Sequence, residues 1–307
     1  MRRLPGACLK IAFHHSSVIG LLLFGCHTSH MPILPAVTVS LVPQARGGPF
    51  VLWDDLPTAC ARAAAMGFAA IEVFPSHPDE IDGHALRELL KKHGLRLAAM
   101  GTGAGWVVRK LSLTDPDPHL RMHAWDFIGA VIDFAGGFGA PAIIGSMQGR
   151  WGGAVSRDQA LAWLKEGLDQ LGPRAHALEV PLLFEPLNRY ETNLLHTVDD
   201  SVAFLSTLQT TNVKLLSDLF HMNIEESDIA GALRRGGRHV GHVHFADSNR
   251  RAIGFGHTAV GPIVSALRDI QYSGFISAEI LPLPDDETAG MQTMRAFREA
   301  FGTSFQR

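Results

Sequence analysis

Leu182-Leu183-Phe184-Glu185-Pro186-Leu187-Asn188-Arg189-Tyr190-Glu191 is an apolar run that ends in a carboxylate and then in a cluster of polar groups. It is too short for a helix stopped by Pro186. It reads as a buried parallel strand whose last residue meets solvent at the C-terminal edge of a sheet. Three later runs end alike: Val213-Lys214-Leu215-Leu216-Ser217 runs into Asp218, Val240-Gly241-His242-Val243 into His244, and Phe275-Ile276-Ser277-Ala278 into Glu279. Two Glu, one Asp and one His, each leaving a separate strand, make a candidate metal site.

The same beat extends toward the N-terminus. Residues 35–41, 69–74, 95–100 and 141–145 read as four earlier strands, and the opening run closes a fifth over residues 178–184. Helical patterns fill the intervals, from Asp54 or Asp55 to residue 66 and over residues 82–93, 119–138, 156–171, 199–208, 229–235, 262–270 and 287–301. Gly67 and Gly94 close the first two. Eight strands alternate with about eight helices, without a long linker or a compositional break. This predicts a single α/β domain folded as a (β/α)8 TIM barrel over residues 34–307, whose C-terminal rim gathers the strand ends around one cavity. No GxGxxG follows the first strand, so a dinucleotide-binding sheet lacks its mark. Residues 42–50 are a loop long enough to reach over the rim.

A net charge of −3 argues against a nucleic-acid backbone as the ligand. Cys8, Cys26 and Cys60 are odd in number and have no CxxC spacing, which points to a reducing, cytoplasmic setting rather than a disulfide scaffold. Residues 1–33 stand apart. Arg2-Arg3, then Val18 to Phe24 and Gly25-Cys26, have the layout of a basic segment before a short apolar one, too short to span a bilayer. The simpler reading is an overextended start before Met31, with export requiring that residues 1–30 be a real signal.

Hard oxygen donors with one imidazole suit Mn²⁺ first, and Mg²⁺, Co²⁺ or Zn²⁺ after it. A lone Glu at a strand end is commonly a cap or an ion-pair partner; four such groups on neighbouring late strands favour the metal. His221, three residues after Asp218, is a candidate substrate or metal-water contact, against a packing role. His242 is read as lying on the opposite side of its strand from His244, in a supporting position. Arg250 is a candidate for a substrate oxygen or carboxylate, whereas Arg251 reads as solvated. Glu191 suits a terminal hydroxyl, and Asn188 and Arg189 read equally as loop braces. Glu72 is placed in or near the cavity, on substrate or holding a histidine. Trp106 and Phe220 offer an apolar wall for the carbon face of a sugar.

These residues carry a resemblance. The intervals of 33, 26 and 35 between the four ligands, with Glu-Pro-Leu-Asn-Arg-Tyr-Glu, Asp-Leu-Phe-His-Met-Asn-Ile-Glu-Glu and His-Val-His-Phe-Ala-Asp-Ser-Asn-Arg, resemble the xylose-isomerase-like superfamily of sugar epimerases and isomerases. The chain is similar within it to the D-tagatose and D-psicose 3-epimerase branch. Through Gly101-Thr102-Gly103, Leu111-Ser112-Leu113-Thr114, Gly149-Arg150 and Leu281-Pro282-Leu283-Pro284 it is more similar still to a 5-keto-L-gluconate epimerase-like group. The resemblance spans residues 35–301. It implies Glu185, Asp218, His244 and Glu279 as ligands of one divalent metal, and Glu185 and Glu279 as the acid–base pair. It further implies His221, Arg250 and Glu191 on the substrate side, and a homodimer or homotetramer joined through rim loops. The loop over residues 42–50 is longer than the group's pattern, which leaves the substrate terminus open.

The implied reaction is metal-dependent inversion of the carbon next to the ketone of a free ketose or keto-sugar acid, through an enediolate. The same parts would serve an aldose–ketose isomerase of the hydroxypyruvate or xylose type, or an inosose isomerase or dehydratase. An abasic-site nuclease shares the barrel but wants more His and a basic groove. An exported sugar-binding protein would need the N-terminus to be a signal. Arg46, Arg150 and Arg250 favour a substrate bearing a carboxylate.

Overall fold

The computed structural model describes residues 32–302; the predicted extension over residues 1–33 falls outside them except for its last two positions. Eight parallel strands close into a barrel in sequence order. They are β1 (Ile33–Ser40), β2 (Ala70–Phe74), β3 (Arg96–Gly101), β4 (Ala142–Ile144), β5 (Leu182–Phe184), β6 (Val213–Asp218), β7 (Val240–His244) and β8 (Gly274–Ala278). Closure comes from β1, which pairs with β2 through Thr38 and Glu72 and with β8 through Ala36 and Ser277.

The connections carry α1 (Leu56–Met66), α2 (Gly83–His93), α3 (Ala104–Val107), α4 (Pro118–Gly136), α5 (Arg157–His176), α6 (Val198–Leu205), α7 (Leu219–Glu225), α8 (Ile229–Gly236), α9 (Val260–Asp269) and α10 (Asp286–Phe301). Their starts follow side-chain chemistry. Asp55 caps α1 by accepting from the Thr58 amide, Asp82 caps α2 and Ser156 caps α5, each satisfying an N–H that has no partner within its helix. Asp54 is instead paired with Arg62 at 2.7 Å. Gly67 and Gly94 end α1 and α2 in the left-handed conformation. None of the described helices is long and apolar enough to cross a membrane.

The largest apolar core lies between sheet and helices, with Phe68, Ile71, Ile128, Phe184 and Phe297 among its buried members. A smaller cluster of Ala99, Ile143, Leu183 and Leu216 fills the barrel interior. Because alternate strand residues share a face, Leu183 is followed inside the barrel by Glu185 and Leu216 by Asp218. The apolar interior layer therefore ends in a polar one at the rim.

Several elements depart from the sequence expectation. The fifth strand is only three residues long: α5 continues beyond its expected end at residue 171, through Gly172 and Pro173, to His176, and a turn follows before β5. Leu171 and Ala175 are buried on either side of those two residues, and Arg174 is paired with Asp133 of α4, so tertiary contacts override the local stop signal. Short α3 and α7 occupy segments expected to be loops. The segment 42–50 holds one 3-10 turn, Pro43–Ala45, and is pinned behind by a bridge between Val39 and Leu52.

Candidate active site and metal centre

Glu185 follows β5, Asp218 and His244 are the last residues of β6 and β7, and Glu279 follows β8. Register places Asp218 beside His244, and His244 beside Ser277. One ligand atom from each of Glu185, Asp218, His244 and Glu279 lies within 4.8 Å of the others. His244 Nδ1 is 3.3 Å from Asp218 Oδ2, 3.5 Å from Glu279 Oε2 and 3.6 Å from Glu185 Oε1.

Glu185 Oε1 is buried without a hydrogen-bond partner among the described residues. A buried carboxylate oxygen without a donor is costly, and a cation facing it removes that cost. Three carboxylates with one imidazole are also the donor set of a hard divalent ion. The residues present therefore fit such a cation.

The electrostatics reflect the same crowding. Burial pushes the Glu185 carboxyl above its ordinary range, reinforced by the charge of Glu279 and opposed by His244. Burial alone would lower His244, but the carboxylates of Glu72, Glu279, Asp218 and Glu185 outweigh it and raise it well above 6.5. Asp218 is held below the carboxylate range because His221 and His244 outweigh its burial. Its other oxygen, Oδ1, accepts from the Phe220 amide at 2.7 Å and caps α7.

His221 is buried in α7. Its Nδ1 faces Asn188 Nδ2 at 2.7 Å and the Asn188 amide at 3.3 Å. Asn188 Oδ1 accepts from the Tyr190 amide and Nδ2 also donates to Glu191, so the amide is oriented with Nδ2 toward the ring. Nδ1 is then the acceptor, and Nε2 carries the proton. That Nε2 is buried, has no hydrogen-bond partner among the described residues, and lies 3.8 Å from both Glu185 and Asp218.

Arg250 adopts φ +59° and spans the cavity mouth, donating from Nη1 to Glu191 Oε1 and from Nη2 to Glu279 Oε2, each at 3.0 Å. Its guanidinium rests 4.7 Å from the centre of the Phe220 ring, so Phe220 supports Arg250 and is not part of the cavity wall. The cavity is about 490 Å³ and is lined by Glu72, Trp106, Glu185, Glu191, His221, His244, Arg250 and Glu279, with Gln44, Ala45, Arg46, Gly48, Pro49 and Phe50 along one side. Trp106 is part exposed, with Lys110 over its ring.

Other sequence candidates take supporting places. Arg150 donates to the Glu191 carbonyl, and Arg189 pairs with Glu225, so both brace the loop after β5. Glu72 lines the cavity, yet its oxygens meet His242 Nε2 at 2.8 Å and His244 Nε2 at 3.1 Å. His242 is therefore not on the opposite side of β7 from His244: residues two apart on a strand share a face, and both rings point into the barrel.

Sequence reasoning missed Gln148, whose buried amide donates to the carbonyls of Gly145 and Glu185 and fixes the end of β5. It also missed Asp247, which organises the loop carrying Arg250. An Asp three residues beyond a strand end, followed by Gly254 and Gly256, was the available signal.

A family profile described as a xylose isomerase-like TIM barrel matches residues 60–299. The D-psicose 3-epimerase of Agrobacterium fabrum is 31% identical over 243 residues, covering 77% of this chain and 80% of that protein. The L-ribulose 3-epimerase of Methylomonas sp. is 29% identical over 243 residues, 76% of this chain and 83% of its own. A crystal structure of D-psicose 3-epimerase with D-tagatose, from Clostridium cellulolyticum H10, superposes with a TM-score of 0.71 at 21% identity, covering 88% of this chain and 99% of the other. That likeness shows the shared fold.

Proposed function

This chain belongs to the xylose isomerase-like TIM barrel family, on its ketose 3-epimerase branch, and from that premise we propose that it is a divalent-metal-dependent epimerase of free ketoses or keto-sugar acids. The carbon inverted is the one next to the ketone, the C3 type. One observation carries the reading: Glu185 and Glu279 leave different strands, β5 and β8, yet meet at one cluster of ligating atoms in the cavity.

Glu185, Asp218, His244 and Glu279 would hold the cation, with Mn²⁺ proposed first. Bound there, it would supply polarisation of the ketone and its neighbouring hydroxyl, which makes the C–H between them acidic. One of the two Glu takes that proton from one face of the sugar, and the other returns a proton to the opposite face, so the carbon is inverted. The Nε2–H of His221 donates to a substrate oxygen, which orients the sugar and offsets charge as the proton leaves. Arg250 and Glu191 receive the hydroxyls farther along the chain. Phe50 and Trp106 give the cavity an apolar side.

D-Psicose, D-tagatose, L-ribulose and 5-keto-L-gluconate, each incubated with the Mn²⁺-loaded protein in deuterated buffer and followed by NMR, test the reading. The expected result is an epimeric product that carries deuterium at the inverted carbon. Formation of an aldose without inversion would replace the epimerase with an aldose–ketose isomerase.

A further inference from the structure

Glu72 stands on β2, across the barrel from β7, and is buried with both oxygens engaged. Its Oε2 is 2.8 Å from His242 Nε2 and its Oε1 is 3.1 Å from His244 Nε2. An ionised carboxylate only accepts, so both Nε2 atoms carry protons. The remaining nitrogen of His244, Nδ1, is then bare in the neutral ring and faces Asp218, Glu279 and Glu185. From this geometry we propose that Glu72 is a positioning residue for the cation site: it clamps His242 and His244 together, fixes the His244 tautomer, and aims Nδ1 at the three carboxylates. The inference rests on the cation-site reading above.

Glu72, His242 and His244 also lie close enough to ligate a second ion by themselves. That arrangement would require His244 to ligate through both nitrogens and lose both ring protons. A neutral imidazole that donates one hydrogen bond and ligates with its other nitrogen needs no such loss. Carboxylates that hold ligating imidazoles in this way affect affinity by about 10- to 100-fold.

The test is calorimetric titration of the metal-stripped protein with Mn²⁺, for the unaltered chain and for Glu72→Gln, Glu72→Asp and Asp218→Asn. Thermal unfolding in chelator and the absorption spectrum of the Co²⁺-loaded forms accompany it. One Mn²⁺ per chain is expected. Glu72→Gln should weaken binding about 10- to 100-fold and alter the Co²⁺ bands, with one ion still bound, in protein that the scans in chelator show to be folded. Glu72→Asp, which keeps two acceptors, should lose less, and it carries the comparison if the Gln form fails to fold. Unchanged affinity in a folded Glu72→Gln protein overturns the proposal. So do two ions in the unaltered chain falling to one in the variant, which would make Glu72 a ligand. If the unaltered chain binds no Mn²⁺, or Asp218→Asn binds it as well as the unaltered chain, the cation-site reading itself fails and the inference with it.

Discussion

A Cβ built at Gly145, just past β4, would lie 2.5 Å from Glu185 Oε2. The backbone there has φ −104° and ψ −101°, on the negative-φ side, so the missing side chain answers to close approach rather than to a left-handed turn. Gly145→Ala should therefore leave the barrel folded while displacing the Glu185 carboxylate. We expect turnover to fall about 100-fold or more, the scale of losing a positioned acid–base group, with the unfolding midpoint little changed. Parallel kinetic and thermal measurements check this; full activity in the Ala variant would mean that the carboxylate has room to retreat. Gly145 is one of 31 glycines, and nothing in its sequence context singles it out. The carboxylate it accommodates was legible, because Glu185 ends an apolar run.

Among the elements, the loop after β7 depends most on a single side chain. Asp247 is buried and accepts from the amides of Ser248, Gly254, Gly256 and Thr258 at 2.7, 2.7, 2.8 and 2.9 Å. Burial would raise its carboxyl, but these amides outweigh burial and hold it below the ordinary range. The loop delivers Arg250 to Glu279 and Glu191 and is tied at its far side by the Leu281 amide, which donates to the Arg250 carbonyl at 2.7 Å. Asp247→Ala strands several donors at once and should cost at least the ~1–3 kcal/mol of one unsatisfied buried donor. Its larger expected effect is a rise in KM, because Arg250 loses its seat. Mn²⁺ affinity should change less than in Glu72→Gln, since Asp247 reaches the four proposed ligands only through Arg250 and Glu279. Steady-state kinetics beside a Mn²⁺ titration separate the two effects. Strand ends β6 to β8 could be read to within a residue because alternation fixes which side chain turns inward. The left-handed Arg250, the short α7 and the end of α5 could not, since distant contacts set them.

At the scale of the molecule, the barrel was legible because eight short apolar runs recur between helical patterns, and a closed parallel sheet is what that count supports. Closure also makes the proposed cation a crosslink, for its ligands come from β6 and β7 and from the residues following β5 and β8. Without a cation, three carboxylates crowd one imidazole, and His244 is raised well above 6.5 to compensate. A group raised on folding contributes stability that is fully present below its unfolded value and is lost as pH climbs through its folded value. Glu185, also raised, acts in the same direction from its ordinary 4.5 upward. Glu72 and Asp218 are depressed, so their contribution is present above the ordinary carboxylate range and lost only in acid. Above about pH 6.5, then, the chelated protein should become less stable as pH rises, while Mn²⁺ binds more tightly because fewer protons must leave. At a free Mn²⁺ concentration about 100 times Kd, the linkage gives about 2.7 kcal/mol, or a Tm about 5 °C higher. Thermal scans with Mn²⁺ or chelator at fixed protein concentration, from pH 6 to pH 8 (about the window set by an ordinary His), should show the chelated Tm falling with pH. At constant total Mn²⁺ the gap between the two curves should widen. A gap independent of pH would mean that His244 and Glu185 carry no extra protons when the cation is removed.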